Sequence, residues 1–455
     1  MGSEPVSATS AVPIEGTAGA GHAAPGGANP RAWFVLAILC FVYVLNFLDR
    51  QLLAILAKPI RDELGLTHGQ IGLISGLYFA LFYCIISVPV AWFADRTNRV
   101  RVVSLACALW SAATAACGLA GSYGQLAAAR MTVGVGEAGG VPPSYAIISD
   151  YFRPGTRGTA LGIYNLGPPI GNALGVAFGA SIAAAYSWRD AFIVLGIVGV
   201  ATAVLVLLTV REPVRGGLDR DTAPVEADVS PDVSPDKAPF VATCRVFFAR
   251  PVLRLTALAT GANQFITYAT ANFTTLFLME EKGMTLRQVA VWYALLVLVS
   301  MGGGIFASGR LVDRFAGRDR RAYAIIPAIG LVIAAPLFAG FVAAPGWQLA
   351  MLLLILPMAL NYFYLSPAVA LVQEEVRPNQ RVMAGALLLL VMNLIGLGLG
   401  PTYLGAASDW FRAAGYGNPL QMAFYTIIPF YGVAVLLFLA LARAIRHEHS
   451  RQEVQ

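Results

Sequence analysis

The sequence predicts an all-α integral membrane protein with twelve transmembrane helices in two six-helix bundles and both termini in the cytoplasm. Three observations carry that prediction. The 455 residues are 57% hydrophobic and only 12% charged, about half the charge of a soluble globular domain. The apolar residues gather into twelve runs, each long enough for a ~30 Å hydrocarbon core at ~1.5 Å per helical residue. Lys and Arg are spread unevenly around those runs. The tails and alternate loops on one side hold 23 of the 31, the opposite loops hold six (Lys58, Arg61, Arg189, Lys282, Arg287 and Arg412), and Arg50 and Arg130 lie within runs. Basic loops stay cytoplasmic, so the asymmetry places the termini inside and supports the span count. It also accounts for the net charge of +6 without a nucleic-acid partner.

Residues 1–31, rich in Gly, Ala, Pro and Ser, have no charged segment leading into a short apolar core. They read as a disordered tail and not as a cleaved signal. The N-terminal bundle occupies 32–210, with spans at about 32–57, 69–94, 101–121, 124–149, 158–186 and 190–210. Residues 211–250 form a cytoplasmic linker in which DVSPDVSPDKAP is dense in Pro and Asp, a flexible composition. At its end, Phe240, Val241, Cys244, Phe247 and Phe248 recur at helical spacing with Arg245 and Arg250 off that face, the pattern of a short interfacial helix. The C-terminal bundle occupies 251–445, with spans at about 251–279, 286–309, 322–343, 347–373, 382–408 and 421–445, and 446–455 is a tail. Cys40, Cys84, Cys107 and Cys117 lie in apolar runs and Cys244 in the linker. Their spacing suggests neither a metal site nor a disulfide framework, and no metal or cofactor is expected.

The two halves carry an internal repeat. After the second run the chain reads AWFADRTNR (91–99), and after the eighth GRLVDRFAGR (309–318), aligning Asp95-Arg96 with Asp313-Arg314. After the fourth run comes DYFRPGTR (150–157), and after the tenth EEVRPNQR (374–381), aligning Asp150, Arg153, Pro154 and Arg157 with Glu374, Arg377, Pro378 and Arg381. The offsets, 218 and 224 residues, are almost in register.

These loops, with Trp188, Arg189 and Phe192 between the fifth and sixth runs, resemble the major facilitator superfamily, over residues 32–445. The family's loop pattern Gly-x-Leu-Ala-Asp-Arg-x-Gly-Arg is kept at Ala94, Asp95, Arg96 and Arg99, with Ala91, Phe93 and Asn98 departing from it. More narrowly, NFLDRQ (46–51), RMTVGVGEAGG (130–140) and DYFRPGTRG (150–158) resemble the spinster lipid-transporter branch. The resemblance implies the major facilitator fold and alternating access. It further implies proton-coupled transport of a lipid-like amphiphile, a lysophospholipid or a sphingosine-1-phosphate-like molecule. A bacterial inner membrane, a monomer and contacts with bilayer lipids are the matching expectations for setting.

Ionisable residues inside a bilayer are costly and functional by default, and Asp49, Arg50, Arg130 and Glu137 are the unambiguous ones. By helical rise, Asp49 and Arg130 lie roughly 13 and 10 Å from the outer ends of their spans, and they pair if the first and fourth spans are neighbours, as in that fold. Seven residues separate Arg130 from Glu137, about two turns, so one stripe carries both. The expected site is a relay of Asp49, Arg130 and Glu137: Asp49 and Glu137 couple protons, and Arg130, with the two acids, binds the substrate head. Arg50 points about 100° away from Asp49 and is left to snorkel or to bond Asn46. Asp95, Arg96, Asp313 and Arg314, reaching Asp150, Arg153 and Glu374, are expected to gate the inner mouth. Gly171, Gly175 and Gly179 give span 5 a face that admits a close neighbour. Polar residues such as Asn165, Asn172, Asn263, Gln264, Thr267, Asn361 and Asn393 either line the cavity or bond across helices. Two other readings stay open: a multidrug–proton antiporter, and an organic-anion symporter. An enzyme is not expected, since no nucleophile–base pair occurs in the spans, and a nucleotide-driven pump is excluded by the absence of a phosphate-binding Gly-Lys-Ser/Thr loop.

Overall fold

The computed structural model describes residues 30–94, 96–153, 156–214, 240–376 and 380–452. The expected N-terminal tail and the Pro/Asp-rich part of the linker lie outside the described residues, as do Asp95, Pro154, Arg377 and Pro378. Among the described residues the helices group into twelve long stretches. In the first half they are Pro30–Ile55, His68–Ala94, Arg99–Gly118, Tyr123–Tyr151, Arg157–Ala185 and Trp188–Thr209. In the second they are Pro251–Glu280, Leu286–Ala316, Ala322–Ala343, Trp347–Glu375, Arg381–Ala413 and Pro419–Gln452. They are called spans 1 to 12 below. Ten of them are long and apolar enough on their own to cross a membrane. Spans 4 and 7 fall short, and they are the ones laden with polar groups: Arg130 and Glu137 in span 4, and Thr256, Thr260, Asn263, Gln264, Thr267, Thr270 and Thr274 in span 7. Such helices stay in a bilayer by facing the bundle interior.

Each half is packed by the same helix pairs. Span 1 lies on span 5, span 3 on span 6, and span 2 on span 4. Six positions on, span 7 lies on span 11, span 9 on span 12, and span 8 on span 10. Glycines set the closest of these contacts. A Cβ at Gly171 would sit 2.5 Å from the Val44 carbonyl oxygen, and one at Gly175 would sit 2.7 Å from the Gln51 side chain. The counterparts in span 11 are Gly396 against Gln264 and Gly400 against the Phe265 carbonyl. Span 4 passes between spans 2 and 3 because Gly134 abuts the Phe79 backbone and Gly136 the Trp110 backbone.

Twelve passes leave both described ends on one side of the bundle; the other is the far side. A short helix, Ala57–Leu64, follows span 1 there. The Trp188-Arg189 pair explains itself at this place. Trp188 Nε1 donates to Glu63 Oε2 (2.5 Å), and Arg189 donates to Glu63 Oε1 (2.8 Å) and to the Ala120 carbonyl (2.6 Å). One motif thereby ties span 6 to the short helix and to the end of span 3. On the terminus side, Phe240–Ala249 is a helix, as the spacing predicts. Phe247 is buried, and the helix packs on spans 7 and 11 as well as facing outward with Phe248.

The halves meet from the far side down to mid-bundle. Spans 2 and 11 touch backbone to backbone, Gly72 against Pro401 and Gly76 against the Gly398 carbonyl. Thr402 Oγ1, 3.2 Å from the Leu77 amide, accepts its hydrogen bond. Span 5 meets span 8, where Asn172 Nδ2 reaches Met301 Sδ at 3.4 Å. On the terminus side the ion pairs among the described residues stay within one half. The halves are closed on the far side, and the described terminus-side segments 141–151, 157–164, 365–375 and 381–392 pack on helices of their own halves.

Candidate functional site

Span 5 holds one face of span 1 through its glycines, at Val44, Phe47, Leu48 and Gln51. Asp49 and Arg50, successive residues, then leave span 1 in different directions. Asp49 turns into the first half. It is 1% exposed, and Arg130 Nη1 donates to its Oδ2 at 3.2 Å; Arg130 is 2% exposed. Beside Asp49 lies a cavity of about 10 Å³ lined by Leu45, Trp110, Ser111, Thr114, Leu195 and Gly199 from spans 1, 3 and 6, room for about one water. Among the described residues Asp49 Oδ1 and Arg130 Nε have no hydrogen-bond partner.

Arg50 turns to the space between the halves. Its Nε donates to Glu137 Oε2 at 2.6 Å, with 13% of the Arg50 side chain exposed and none of Glu137. Phe47, Phe79 and Tyr83 lie 5.0 to 5.1 Å from the guanidinium carbon, the distance of a cation–π contact. Tyr268 of span 7 comes within reach of the same guanidinium from the other half. The Phe79 ring also lies 5.3 Å from the Arg130 guanidinium, so it sits between the two cations.

The expected continuous relay is therefore two pairs. Asp49 and Arg130 meet as expected, but Glu137 bonds Arg50 and not Arg130. Arg50 neither snorkels nor bonds Asn46, whose amide atoms have no partner among the described residues. Charge neutrality was the signal in the sequence. Two acids and two bases in the spans each require a partner, because an unpaired buried charge costs several kcal/mol, and Arg50 had no other acid to take.

The gating residues are also paired differently from expectation. Asp150 is held by Arg99 (2.7 Å), which also binds Glu212 (2.8 Å). Glu374 is held by Arg320 (3.2 Å) and by Tyr323, whose hydroxyl donates at 2.5 Å. Arg96 lies instead on Trp92, 3.9 Å from its ring, with Nη1 donating to the Trp92 carbonyl. Arg153, Asp313 and Arg314 make no ion pair across the halves among the described residues. The cause is local. Asn98 caps span 3 by accepting from the Arg101 amide, which puts Arg99 in the first turn, against the end of span 4. Arg320 stands equivalently before span 9, against the end of span 10. Asp150 and Glu374 are thus held equivalently, each by an arginine further along the loop than the one read, while Asp95, the counterpart of Asp313, lies outside the described residues.

Most of the uncharged polar residues bond across helices. Asn263 donates to the Asn361 carbonyl (2.9 Å), Gln264 to Asn393 (3.0 Å), Asn361 to the Tyr431 hydroxyl (3.0 Å), and the Tyr145 hydroxyl to Asn165 (2.6 Å).

Residues 39–401 match the Major Facilitator Superfamily model. Among curated proteins, an "MFS-type efflux pump" of Mycolicibacterium smegmatis is 33% identical over 83% of this chain and 85% of its own length. The protein spinster of Drosophila melanogaster is 27% identical over 85% of this chain and 64% of its own length. Among solved structures, a bacterial homologue of the human lysosomal transporter Spinster, in an inward-facing and unoccupied conformation, superposes with a TM-score of 0.82. It shares 28% identity and covers 92% of this chain and 99% of its own. The chain belongs to the major facilitator superfamily: it is a multi-pass membrane transporter, not an enzyme, and its fold is that of the bacterial spinster homologue.

Proposed function

We propose that this transporter moves an amphiphile with an acidic head, of the lysophospholipid or sphingosine-1-phosphate kind, by proton-coupled alternating access across a bacterial inner membrane. The carrying observation is the Arg50–Glu137 pair, placed between the halves and ringed by Phe47, Phe79, Tyr83 and Tyr268. A guanidinium forks onto a phosphate as readily as onto a carboxylate, and the rings around it suit the apolar part of an amphiphile. With the termini in the cytoplasm, the terminus side is the inner mouth, and the lipid enters there.

Asp49 is the proton switch in this reading. A proton arriving through the cavity cancels the carboxylate's claim on Arg130. Arg130 then turns its charge towards Glu137 or towards the substrate head, which Arg50 already faces. The two cations become a cradle for one phosphate, and the site binds differently with Asp49 protonated, which is the coupling that alternating access requires. The clamps Arg99–Asp150 and Arg320–Glu374, each inside one half, keep the inner ends of the bundles rigid while the halves rock.

The test is lysophospholipid binding to purified wild type, Arg50→Ala and Arg130→Ala. Loss of a charge-assisted hydrogen bond of about 1.5–3 kcal/mol weakens binding by roughly 10- to 150-fold for Arg50→Ala. Unchanged affinity in both variants refutes the anchor. The mycobacterial efflux relative supports a second reading, a drug–proton antiporter. That reading is preferred if a lipophilic cation is transported, the lysophospholipid is not, and Arg50→Ala leaves the cation's transport intact.

A further inference from the structure

We propose that a polar cavity in the second half binds the free glycerol hydroxyl of the transported lysophospholipid, while Arg50 of the first half holds its phosphate. The proposal rests on the amphiphile reading above and adds a specificity: one-chain lipids are taken because their second glycerol oxygen is a hydroxyl. The cavity, about 10 Å³, lies among spans 7, 8 and 10, with room for about one water-sized group. Each of those spans gives its lining a buried polar group that has no hydrogen-bond partner among the described residues. The groups are Thr270 Oγ1, the Tyr293 hydroxyl and Asn361 Oδ1, and their residues are 7%, 0% and 3% exposed.

The surrounding bonds hold these groups in place. Asn361 Nδ2 donates to the Tyr431 hydroxyl (3.0 Å), and the Asn361 carbonyl accepts from Asn263 Nδ2 (2.9 Å). Tyr293 ends the π-helical turn Val289–Tyr293, a widening found often at functional sites. Thr274 comes within reach of the Tyr293 hydroxyl, but it gives its own proton to the Thr270 carbonyl (2.7 Å). Thr267 likewise gives its proton to the Asn263 carbonyl (3.0 Å). Unpaired polar groups in a buried site are costly, so a guest that pairs them is favoured. The set defines that guest. Asn361 Oδ1 can only accept, and the phenol and the alcohol each have a proton to donate. One hydroxyl, donating once and accepting twice, satisfies all three. A phosphate oxygen would face the amide oxygen with no proton between them, and the ester oxygen of a two-chain lipid has none to give. Position ties the cavity to the anchor. Tyr268, which reaches the Arg50 guanidinium, stands between Thr267 and Thr270 on span 7, so the cavity lies within one helical turn of the residue that meets the anchor. In a lysophospholipid the free hydroxyl is on the carbon next to the one esterified to phosphate. The lipid head then touches both halves, and its binding favours one arrangement of the halves over another.

The experiment measures the affinity of the purified protein for lysophosphatidate and for its 2-deoxy analogue, which lacks only that hydroxyl. Wild type should prefer lysophosphatidate by roughly 2- to 12-fold, the effect of one net hydrogen bond. Tyr293→Phe and Thr270→Val should each lower that ratio, and the double variant should abolish the preference. Each change removes only a hydroxyl without a partner, so the variants should melt no lower than wild type. Arg50→Ala should weaken both ligands and keep the ratio, which separates the hydroxyl site from the phosphate anchor. Equal affinities in wild type, or a preference kept in the double variant, overturn the proposal. The cavity then holds a water only, and the anchor reading stands if Arg50→Ala still weakens both ligands. If wild type binds neither lipid, the amphiphile reading fails and the hydroxyl site with it.

Discussion

Span 5 positions the charged site without touching it, and Gly171→Ala tests that. The new Cβ would lie 2.5 Å from the Val44 carbonyl oxygen and 2.8 Å from Phe47 Cβ. Ordinary Cβ contacts begin near 3.4 Å, so span 1 must move by several tenths of an ångström. Both obstacles are on or next to backbone, and no flexible side-chain end can yield. Asp49 is five residues from Val44, about 7.5 Å along the same helix, and its bond to Arg130 is already 3.2 Å. The same displacement takes that bond beyond hydrogen-bonding distance. Overpacking of this kind costs about 1–3 kcal/mol. Gly162→Ala is the control: it lies in the same span, and its Cβ meets nothing within 4 Å. There alanine should stabilise by up to about 1 kcal/mol through helix propensity alone. The assay is thermal unfolding in detergent with transport in proteoliposomes. Gly171→Ala should melt lower and transport poorly, and Gly162→Ala should melt at or above wild type and transport normally. Equal behaviour of the two variants refutes the claim that glycine contacts set the position of Asp49.

Arg50→Leu and Glu137→Gln should each destabilise by about 3–5 kcal/mol, since each strands a buried charge or donor, while the double variant should recover at least about 1 kcal/mol of the summed cost in a thermal double-mutant cycle. Arg99→Gln should loosen the inner ends of spans 3, 4 and 6 together, seen as faster hydrogen exchange at 99–103, 148–151 and 209–212 with the C-terminal half unchanged, because its partners Asp150 and Glu212 lie in one half. Hydrogen bonds from Arg189 and Trp188 hold the Glu63 carboxyl below its usual range. That stability is present above about pH 4.3 and lost as pH falls through the lowered value, so the melting difference between wild type and Glu63→Gln should be seen at pH 7 and vanish in acid. Glu63 is half exposed, so the difference should stay under about 1 kcal/mol.

Much of the fold was legible because a bilayer punishes polar backbone and side chains so uniformly. Nine expected spans agree with the helices to within about two residues at the N-terminus and three at the C-terminus. Spans 8, 11 and 12 run several residues longer than apolarity suggests, to Ala316, Ala413 and Gln452. There the helix continues into water as a solvated turn carrying Arg314, Arg412 or Arg446, and hydropathy reads the membrane, not the helix. The Asp49–Arg130 pair was legible from their common depth together with the adjacency of spans 1 and 4 that the family resemblance implies. The Arg50–Glu137 pair was not, because helical periodicity says where a side chain points but not which neighbour waits there. Arg99 and Arg320 were missed for a related reason: a helix cap decides which arginine of a basic loop faces inward. The start of span 2 at His68 was legible too, since Thr67 and Gln70 stand at capping-box spacing.

The central claim is that proton and amphiphile share one cycle through Asp49. Its most direct test is proton flux in proteoliposomes holding a pH-sensitive dye, driven by an imposed gradient of lysophospholipid. Wild type should move protons when the lipid gradient is applied. Asp49→Asn should still exchange lipid down its gradient but move no protons with it. Lipid-driven proton flux that persists in Asp49→Asn, or its absence in wild type under the same gradient, contradicts the account.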